Sequence, residues 1–332
     1  MKYLSVILVI VMLLTGGCSN QSKDKTQNPV KIIFDSDLGP DYDDVGALAF
    51  LHAMADSGKA EILATIASNK HPLVAPSIEV INTYFNRPGI PIGGVKSQGV
   101  NIGSPYCWAD TLVARYPHTL KSTDEAADAV GLYRKILNGQ PDNSVTIVTV
   151  GFLTNMSNLL KSQPDDISQL SGMDLVKKKI KRLVSMAGRF PEGREFNVYM
   201  DSTSSLHVFN HWPGEIVFTG FEIGWEIRTG LRLIKSDIKN SPVKDVFSIS
   251  IPKSEEDKSG RMSWDETAVL IGVYGTDGFF DTVRGKIIVN RDGSNKWEDN
   301  PAGNHLYVKQ KMPVEDMAKF IEDRMMHQPI KK

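Results

Sequence analysis

The sequence predicts an α/β fold in which a mostly parallel, open sheet carries helices on both of its faces. Short strand-like runs alternate along the chain with longer segments whose apolar residues recur at helical spacing. The run 144–150 consists almost entirely of Val, Ile and Thr, which is typical of a strand buried on both faces. Strands separated by helices in this way form parallel crossover units, and these place helices on either side of one sheet.

The individual elements are predicted in chain order from these two patterns. Strands are expected at 30–34, 61–66, 91–95, 144–150, 181–186 and 215–218, because each is a short run rich in β-branched and apolar residues. Helices are expected at 45–54, 77–85, 124–137, 153–160, 201–209, 265–274 and 313–326, where apolar residues recur at helical spacing. Neither an internal repeat nor a break in composition divides this region, so one domain is predicted over 31–328.

Composition excludes several classes of protein. The 332 residues include 38 Lys+Arg and 39 Asp+Glu, a formal net charge of -1, so no global field attracts nucleic acid and no nucleic-acid partner is expected. A hydrophobic content of 41% is too high for a disordered chain. Only Cys18 and Cys107 are present, so a disulfide framework is not expected.

The amino terminus resembles a bacterial lipoprotein signal. A basic start is followed by the apolar run 3–14, which is too short to span a bilayer, and then by Thr-Gly-Gly before Cys18. These small residues resemble a lipobox, with Leu14 one place further from the cysteine than usual. The prediction is a signal peptide at 1–17, a lipid on Cys18, a flexible tether at 18–30, and export to the bacterial cell envelope. The alternative is an ordinary cleaved signal peptide with Cys18 incidental.

Five aspartates fall within ten residues where the first strand ends and the first helix begins. They are Asp35, Asp37, Asp41, Asp43 and Asp44. Two carboxylates about 4 Å apart repel each other by roughly 4 kcal/mol at an effective dielectric constant near 20. One aspartate is explained as a helix cap, but five are better explained by a bound cation. The cluster therefore predicts an oxygen-rich site for Ca²⁺, with Mg²⁺ as the alternative.

This segment resembles the amino-terminal signature of the inosine-uridine preferring nucleoside hydrolases, Asp-x-Asp-x-Gly followed by Asp-Asp. The spacing before Asp43-Asp44 is two residues longer here than in the best-known members, and Asp41 lies in the extra residues. Phosphatases of the haloacid dehalogenase type also begin with Asp-x-Asp after a strand. They have Thr or Val where this chain has Gly39, and the rest of the sequence supplies no convincing match to their other motifs.

Four further segments occur in the order of the nucleoside hydrolases. They contain Asn69 after the second strand, Val150-Gly151 after the strand at 144–150, Glu195 and Asn197 after Met186-Ala-Gly188, and Trp264-Asp265 at the start of a helix. Each alone has an ordinary explanation, such as a loop hydrogen bond or a helix cap. Their joint order extends the resemblance from Lys31 to the final helix and implies the Rossmann-like core of that family.

The resemblance implies a role for each matching position. Asp37 would contact the metal and act as general base towards a metal-held water, while Asp44, Asp265 and the Val150 carbonyl complete the metal shell. The residues expected to hold the ribose hydroxyls are Asp43, Asn69, Glu195 and Asn197. A homodimer or homotetramer is also implied. Asp35 is expected behind the site, and the residues leave the role of Asp41 open.

One position departs from the family pattern. The best-known members have a histidine immediately before the last metal aspartate, where it assists the leaving base, and this chain has Trp264. An indole cannot serve as an acid at ordinary pH, but it can stack on a flat heterocycle, so Trp264 is expected to contact the base. Other groups that could protonate the leaving base are His71, Tyr106, Trp108 and Arg189, and the sequence does not rank them.

Three functions remain open at this point. The first is a lipid-anchored, metal-dependent N-glycosyl hydrolase acting on a ribonucleoside or a related N-ribosyl compound. The second is a lipoprotein on the same scaffold that binds a ribosyl ligand without cleaving it. The third is a haloacid-dehalogenase-like phosphatase with Asp35 as nucleophile. Aspartates at 37, 44 and 265 favour the hydrolase, because sugar capture alone needs no activated water.

Overall fold

A computed structural model describes residues 28–330 of the chain. The predicted signal peptide, the lipidation site at Cys18 and most of the predicted tether lie outside these residues. Within 28–330, none of the helices combines the length and the apolar character that crossing a membrane requires.

The strands and helices follow one another along the chain with short connections. The strands are β1 (Val30–Ser36), β2 (Ala60–Ala67), β3 (Ile92–Gly94), β4 (Ala127–Asp128), β5 (Val145–Thr149), β6 (Ile180–Met186), β7 (Glu192–Arg194), β8 (Ile216–Thr219), β9 (Arg228–Thr229), β10 (Arg261–Met262), β11 (Phe280–Val289), β12 (Ser294–Asp299) and β13 (His305–Gln310). The helices are α1 (Asp43–Asp56), α2 (Val74–Tyr84), α3 (Trp108–Arg115), α4 (Ala129–Asn138), α5 (Thr154–Lys161), α6 (Gly172–Lys179), α7 (Phe196–Met200), α8 (Ser202–His211), α9 (Phe221–Glu226), α10 (Leu231–Lys235), α11 (Pro242–Ser250), α12 (Trp264–Tyr274) and α13 (Val314–Met325).

One large sheet organises the described residues. Its strand order is β4-β3-β2-β1-β5-β6-β8-β13-β11-β12-β7, and β9 and β10 form a separate two-stranded ribbon. Neighbouring strands run parallel from β4 to β13, whereas the pairs β13–β11, β11–β12 and β12–β7 are antiparallel. The predicted mostly parallel sheet is therefore confirmed, with an antiparallel extension at one edge.

Side-chain alternation along β1 shows why both faces carry helices. Ile32 and Phe34 point into one core, which includes residues of α1, α12 and α13. Ile33 lies between them in sequence and points into a second core, with residues of α4, α5, α6 and α8. Successive side chains of a strand alternate between faces, so an apolar strand can fill two cores at once. The predicted α/β class with helices on both faces is confirmed.

The structure contains short elements that were not predicted, namely the helices α3, α6, α7, α9, α10 and α11 and the strands β4, β7, β9 and β10, and it differs from the prediction in two further regions. The helix predicted at 124–137 begins only at Ala129, because the Asp128 carboxylate accepts a hydrogen bond from the Gly131 N–H (2.6 Å) and caps the helix there. The antiparallel strands β11, β12 and β13 were not predicted. Polar and apolar residues are mixed within β11 and β12 because these strands are only partly buried, so no continuous apolar run marks them.

The parallel register brings the strand ends together at one edge of the sheet. Asp35 of β1 pairs with Thr149 of β5, and Thr149 pairs with Ser185 of β6. The segments that follow these three strands therefore emerge side by side, and in open α/β sheets this carboxyl edge is where ligands bind.

Candidate functional site

A cavity of about 230 Å³ opens at this carboxyl edge. Its lining residues are Asp37, Pro40, Asp41, Val150, Met186, Glu195, Phe196, Asn197, Phe221, Glu256, Arg261, Met262, Trp264 and Asp265. Six of the positions predicted from the sequence are among them, namely Asp37, Val150, Glu195, Asn197, Trp264 and Asp265. Segments far apart in sequence thus converge on one concave surface.

Asp37 reaches the cavity because the chain after β5 makes room for it. A Cβ atom on Gly151 would lie 2.5 Å from the Asp37 backbone nitrogen and 2.7 Å from its Cβ, closer than any side chain tolerates. Only glycine permits this approach between the ends of β1 and β5. The Asp37 side chain lies at the cavity wall but is only 3% exposed.

Three carboxylates meet beside Asp37. Asp41, Asp44 and Asp265 each bring one carboxylate oxygen to within 4.8 Å of the other two. Asp44 is fully buried, and its Oδ1 accepts hydrogen bonds from Ser36 Oγ (2.5 Å) and the Leu38 N–H (3.1 Å). Its Oδ2 is buried and has no hydrogen-bond partner within residues 28–330. A cluster of hard oxygen donors with one such unpartnered atom fits a divalent cation such as Ca²⁺ or Mg²⁺.

Burial dominates the electrostatics of this cluster. It raises the pKa values of Asp37, Asp44 and Asp265 well above the usual range for a carboxyl group, and the charges of neighbouring aspartates raise them further. A divalent cation would reverse this effect, because an adjacent positive charge favours the ionised carboxylate. The ionised form of these carboxyl groups is therefore favoured only when a positive charge or hydrogen-bond donors compensate it.

Asp43 receives part of this compensation from the protein itself and does not line the cavity. Its Oδ1 accepts hydrogen bonds from Arg261 Nε (3.0 Å) and Nη2 (2.7 Å). Its Oδ2 accepts from the backbone N–H groups of Trp264 (3.1 Å) and Asp265 (3.3 Å) at the start of α12. Asp43 is fully buried and joins the beginnings of α1 and α12. Its predicted contact with ribose stays a prediction.

Asn69 likewise uses its hydrogen-bonding capacity within the protein. Its amide nitrogen donates to the carbonyls of Asp37 (3.0 Å) and Ile102 (2.8 Å). Its amide oxygen accepts from the N–H groups of His71 (3.1 Å) and Ile102 (3.1 Å). Asn69 is fully buried and is not among the cavity-lining residues, and its predicted contact with ribose stays a prediction.

Glu195 and Asn197 form a polar wall of the cavity. Glu195 caps α7 by accepting from the N–H groups of Asn197 (2.7 Å) and Val198 (3.1 Å), and it also accepts from the Gly188 N–H (3.0 Å). The Asn197 amide donates to the carbonyls of Met186 (3.3 Å) and Val150 (3.4 Å). Both side chains are thereby held rigidly where the cavity opens.

Trp264 belongs to an aromatic part of the cavity lining. Its indole Nε1 donates to the Phe221 carbonyl (2.7 Å), and the rings of Trp264 and Phe221 lie 5.2 Å apart between centroids. The Trp264 N–H is therefore already bonded within the protein. The four residues considered as acids for the leaving base do not line the cavity; these are His71, Tyr106, Trp108 and Arg189.

Arg261 is a charged cavity residue that the sequence analysis did not identify, and Phe221 is an aromatic one. Arg261 lies on β10, three positions before Trp264, and it is only 7% exposed. Its Nη2 donates to both Asp41 (2.6 Å) and Asp43 (2.7 Å). In the sequence, a single arginine with no motif around it is indistinguishable from an ordinary surface residue. Only the fold places Arg261 against Asp43 and Asp41, which lie 218 and 220 positions away in the chain.

Asp35 faces away from the cavity. It is 1% exposed, and its Oδ2 accepts from the Tyr133 hydroxyl (2.8 Å) and from the Asn155 amide (3.1 Å). A phosphatase nucleophile must reach its substrate, and this carboxylate does not line the cavity. The arrangement therefore gives no support to the phosphatase alternative.

We predict that Gly151→Ala damages both the fold and the site. The added methyl group would collide with the Asp37 backbone, and such overpacking costs about 1–3 kcal/mol of unfolding free energy. Thermal and urea denaturation measure this loss. Gly89→Ala is the matched control, because a Cβ at Gly89 meets no atom within 4 Å. Equal stability of the two variants would contradict the close approach described here.

We also predict that the metal-free protein loses stability as the pH rises from about 4 to 7. Burial raises the pKa values of Asp35 and Glu195 to about 7 in the folded protein, against about 4 in an unfolded chain. Between these values the folded protein binds more protons than the unfolded chain, so the free energy of unfolding falls with rising pH. Melting temperatures in chelator between pH 5 and 8 test this. Glu195→Gln should show a shallower slope, and a melting temperature that rises towards pH 8 would refute the prediction.

Comparison with known proteins agrees with this geometry. The family model of the inosine-uridine preferring nucleoside hydrolases matches residues 32–302. The inosine-uridine preferring nucleoside hydrolase of Crithidia fasciculata is 22% identical over 206 residues, which are 59% of this chain and 61% of that protein. The pyrimidine-specific ribonucleoside hydrolase RihA of Enterobacter sp. (strain 638) is 26% identical over 208 residues, which are 58% of this chain and 60% of that protein. The matched regions span less than two thirds of either relative.

The fold is shared more widely than the sequence. A solved plant nucleoside hydrolase superposes with a TM-score of 0.69 at 18% identity, covering 90% of this chain and 99% of the other. At that identity the likeness shows the common fold. The family model, by contrast, covers most of the domain and confirms the resemblance carried by the aspartate-rich segment. The chain therefore belongs to the inosine-uridine preferring nucleoside hydrolase family.

Proposed function

We propose that this protein hydrolyses the N-glycosidic bond of a ribonucleoside or a related N-ribosyl compound, releasing ribose and the base, with the help of a divalent cation. One observation carries the proposal: Asp37 lines a cavity directly beside a buried carboxylate cluster in which Asp44 Oδ2 has no partner. An orphaned buried acceptor is costly, and a bound divalent cation would satisfy this one.

The cation would be held by carboxylates at the carboxyl edge of the sheet. Asp44 and Asp265 offer oxygens from the cluster, and Asp37 and the Val150 carbonyl are available at the cavity wall. When bound, Ca²⁺ or Mg²⁺ would lower the pKa of a water molecule and fix its position next to the substrate. This donor set contains only oxygen, which suits hard cations and disfavours Zn²⁺ sites of the Cys or His type.

Asp37 is proposed as the general base. Its carboxylate would accept a proton from the attacking water while the oxygen of that water forms a bond to the anomeric carbon. The bond between that carbon and the base nitrogen breaks, and the nitrogen keeps the electron pair. Cleavage of a glycosidic bond passes through an oxocarbenium-like transition state, and nearby carboxylates stabilise its positive charge.

The two walls of the cavity would hold the two halves of the substrate. Glu195 and Asn197 present rigid polar groups that suit ribose hydroxyls. Trp264 and Phe221 present aromatic rings that suit a planar base by stacking. The Trp264 N–H is bonded to a backbone carbonyl, so Trp264 would position the base and would not protonate it.

We predict that Asp37→Asn lowers the rate of ribose release by about 10²–10⁴-fold, which is the usual contribution of a general base. The assay incubates the protein with a nucleoside panel and Ca²⁺ and measures free ribose and free base. Glu255→Gln is the control, because this exposed side chain lies outside the cavity lining and is paired only with Lys258.

Other outcomes of this assay would identify the alternatives. Metal-dependent binding of ribose or nucleoside without turnover would favour a non-catalytic lipoprotein. Phosphate release from a phosphomonoester, abolished by Asp35→Asn, would favour the phosphatase.

The same proposal places the protein in the bacterial cell envelope, anchored through a lipid on Cys18. The amino-terminal sequence supports this, with a basic start, a short apolar run and small residues before the cysteine. We predict that Cys18→Ser abolishes incorporation of labelled fatty acid and releases the protein from the membrane fraction. Cys107→Ser, which removes an exposed cysteine of the folded domain, should change neither. Membrane association that survives Cys18→Ser would refute the anchor.

A further inference from the structure

Asp41 lies in the two-residue extension of the aspartate-rich segment, and the structure places it both in the carboxylate cluster and at the cavity wall. We propose that Asp41 is a direct ligand of the divalent cation and that Arg261 is the positioning residue that holds it there. The inference rests on the proposed function and assigns a role to a residue that the family resemblance leaves without one.

The geometry puts Asp41 within the cluster. Its carboxylate lies within 4.8 Å of oxygens of Asp44 and Asp265, whereas Asp37, the ligand expected from the resemblance, lies outside this trio. Asp41 also lines the cavity, and its side chain is 40% exposed, so it faces the space that a cation and substrate would share. The extension thus adds a carboxylate at the open side of a cluster whose other members are buried.

The unpartnered oxygen of Asp44 supplies an independent reason to expect an ion at this point. Asp44 is fully buried, and its Oδ2 has no hydrogen-bond donor among the described residues. Asp265, only 4% exposed, brings a second carboxylate to the same space. A divalent cation would satisfy both of these buried carboxylates at once, and Asp41 is the third oxygen donor within reach.

Arg261 fixes the direction of the Asp41 carboxylate. Arg261 Nη2 donates to Asp41 Oδ2 (2.6 Å) and to Asp43 Oδ1 (2.7 Å), so the arginine engages one of the two Asp41 oxygens and the carboxylate can offer the other to an ion. The guanidinium carbon also lies 4.9 Å from the centroid of the Tyr42 ring and 5.0 Å from that of the Trp264 ring. Held by two carboxylates and two aromatic faces, it cannot swing away, and an immobile donor orients the carboxylate it binds.

A different explanation is that Asp41 only forms an ion pair with Arg261 at the rim of the cavity. In that case the pair would contribute little energy, and removing Asp41 would leave the affinity for the cation unchanged. Direct ligation and simple pairing therefore differ in a measurable quantity that does not involve turnover.

The first experiment measures Ca²⁺ binding by calorimetry. It uses the full-length protein in detergent, stripped with chelator, and compares the unaltered chain with Asp41→Ala. We expect Asp41→Ala to weaken Ca²⁺ binding by about tenfold or more, because the number of charged ligands sets the affinity. Glu255→Ala, which removes an exposed carboxylate outside the cavity, should bind Ca²⁺ unchanged. Circular dichroism in chelator checks that each variant is folded.

A second measurement counts the ligands directly. Eu³⁺ luminescence lifetimes in H₂O and D₂O report how many water molecules remain on the bound ion. Loss of a protein ligand in Asp41→Ala should add about one coordinated water, since the vacated position is filled by solvent. A purely pairing role for Asp41 would leave this number unchanged, even if the affinity fell for another reason.

The role of Arg261 is tested in two backgrounds. Removing its positive charge by itself favours cation binding, so any loss of affinity in Arg261→Gln must come from lost positioning. We expect Arg261→Gln to weaken Ca²⁺ binding when Asp41 is present and not to weaken it in Asp41→Ala. The same change in both backgrounds would overturn the positioning role.

The outcomes separate this inference from the proposed function. Unchanged Ca²⁺ affinity and unchanged water count in Asp41→Ala overturn the inference while the hydrolase proposal stands. If the unaltered chain binds neither Ca²⁺ nor Mg²⁺, the metal-dependent hydrolase proposal fails, and the inference fails with it.

Discussion

The concentration of carboxylates at the end of β1 is the constraint on which the rest of this structure depends. Buried carboxylates repel each other and resist ionisation, so every neighbouring element must supply positive charge or hydrogen-bond donors. Asp43 obtains both from Arg261 and the start of α12, and Asp44 obtains donors from Ser36 and Leu38. These groups leave part of the negative charge uncompensated, and we place the cation in the space next to that charge.

This constraint also explains why distant parts of the chain meet here. The segment after β1 carries the negative charge, the end of β5 makes room for it through Gly151, and β10 with α12 returns some 220 residues later to neutralise part of it. The same return brings Trp264 into the lining of the cavity that Glu195 and Asn197 also line. One segment thus compensates part of the charge and shapes part of the cavity.

Sequence reasoning reached the fold and much of the site because both depend on local patterns. Runs of β-branched residues and helical spacing identified the parallel strands and their helices, and strand ends identified where polar side chains would gather. Prediction from the sequence failed where the apolar pattern of a strand is weak, and where a capping side chain sets the first residue of a helix. The partly buried β11 and β12 mix polar and apolar residues, and Asp128 begins α4 later than the spacing suggests. The ribose contact that the family resemblance implies for Asn69 stays a prediction; in the structure its amide donates to two backbone carbonyls.

By itself the sequence determined the α/β class, the family and the set of carboxylates, because periodicity, residue type and motif order are properties of the chain. Only the tertiary structure decided which carboxylate points where. The Asp43 carboxylate is hydrogen-bonded to Arg261, whereas the Asp41 carboxylate lies close to those of Asp44 and Asp265. The physical reason is that the direction of a buried charge depends on the donors packed around it, and here the decisive donor, Arg261, lies 218 positions away in sequence from Asp43.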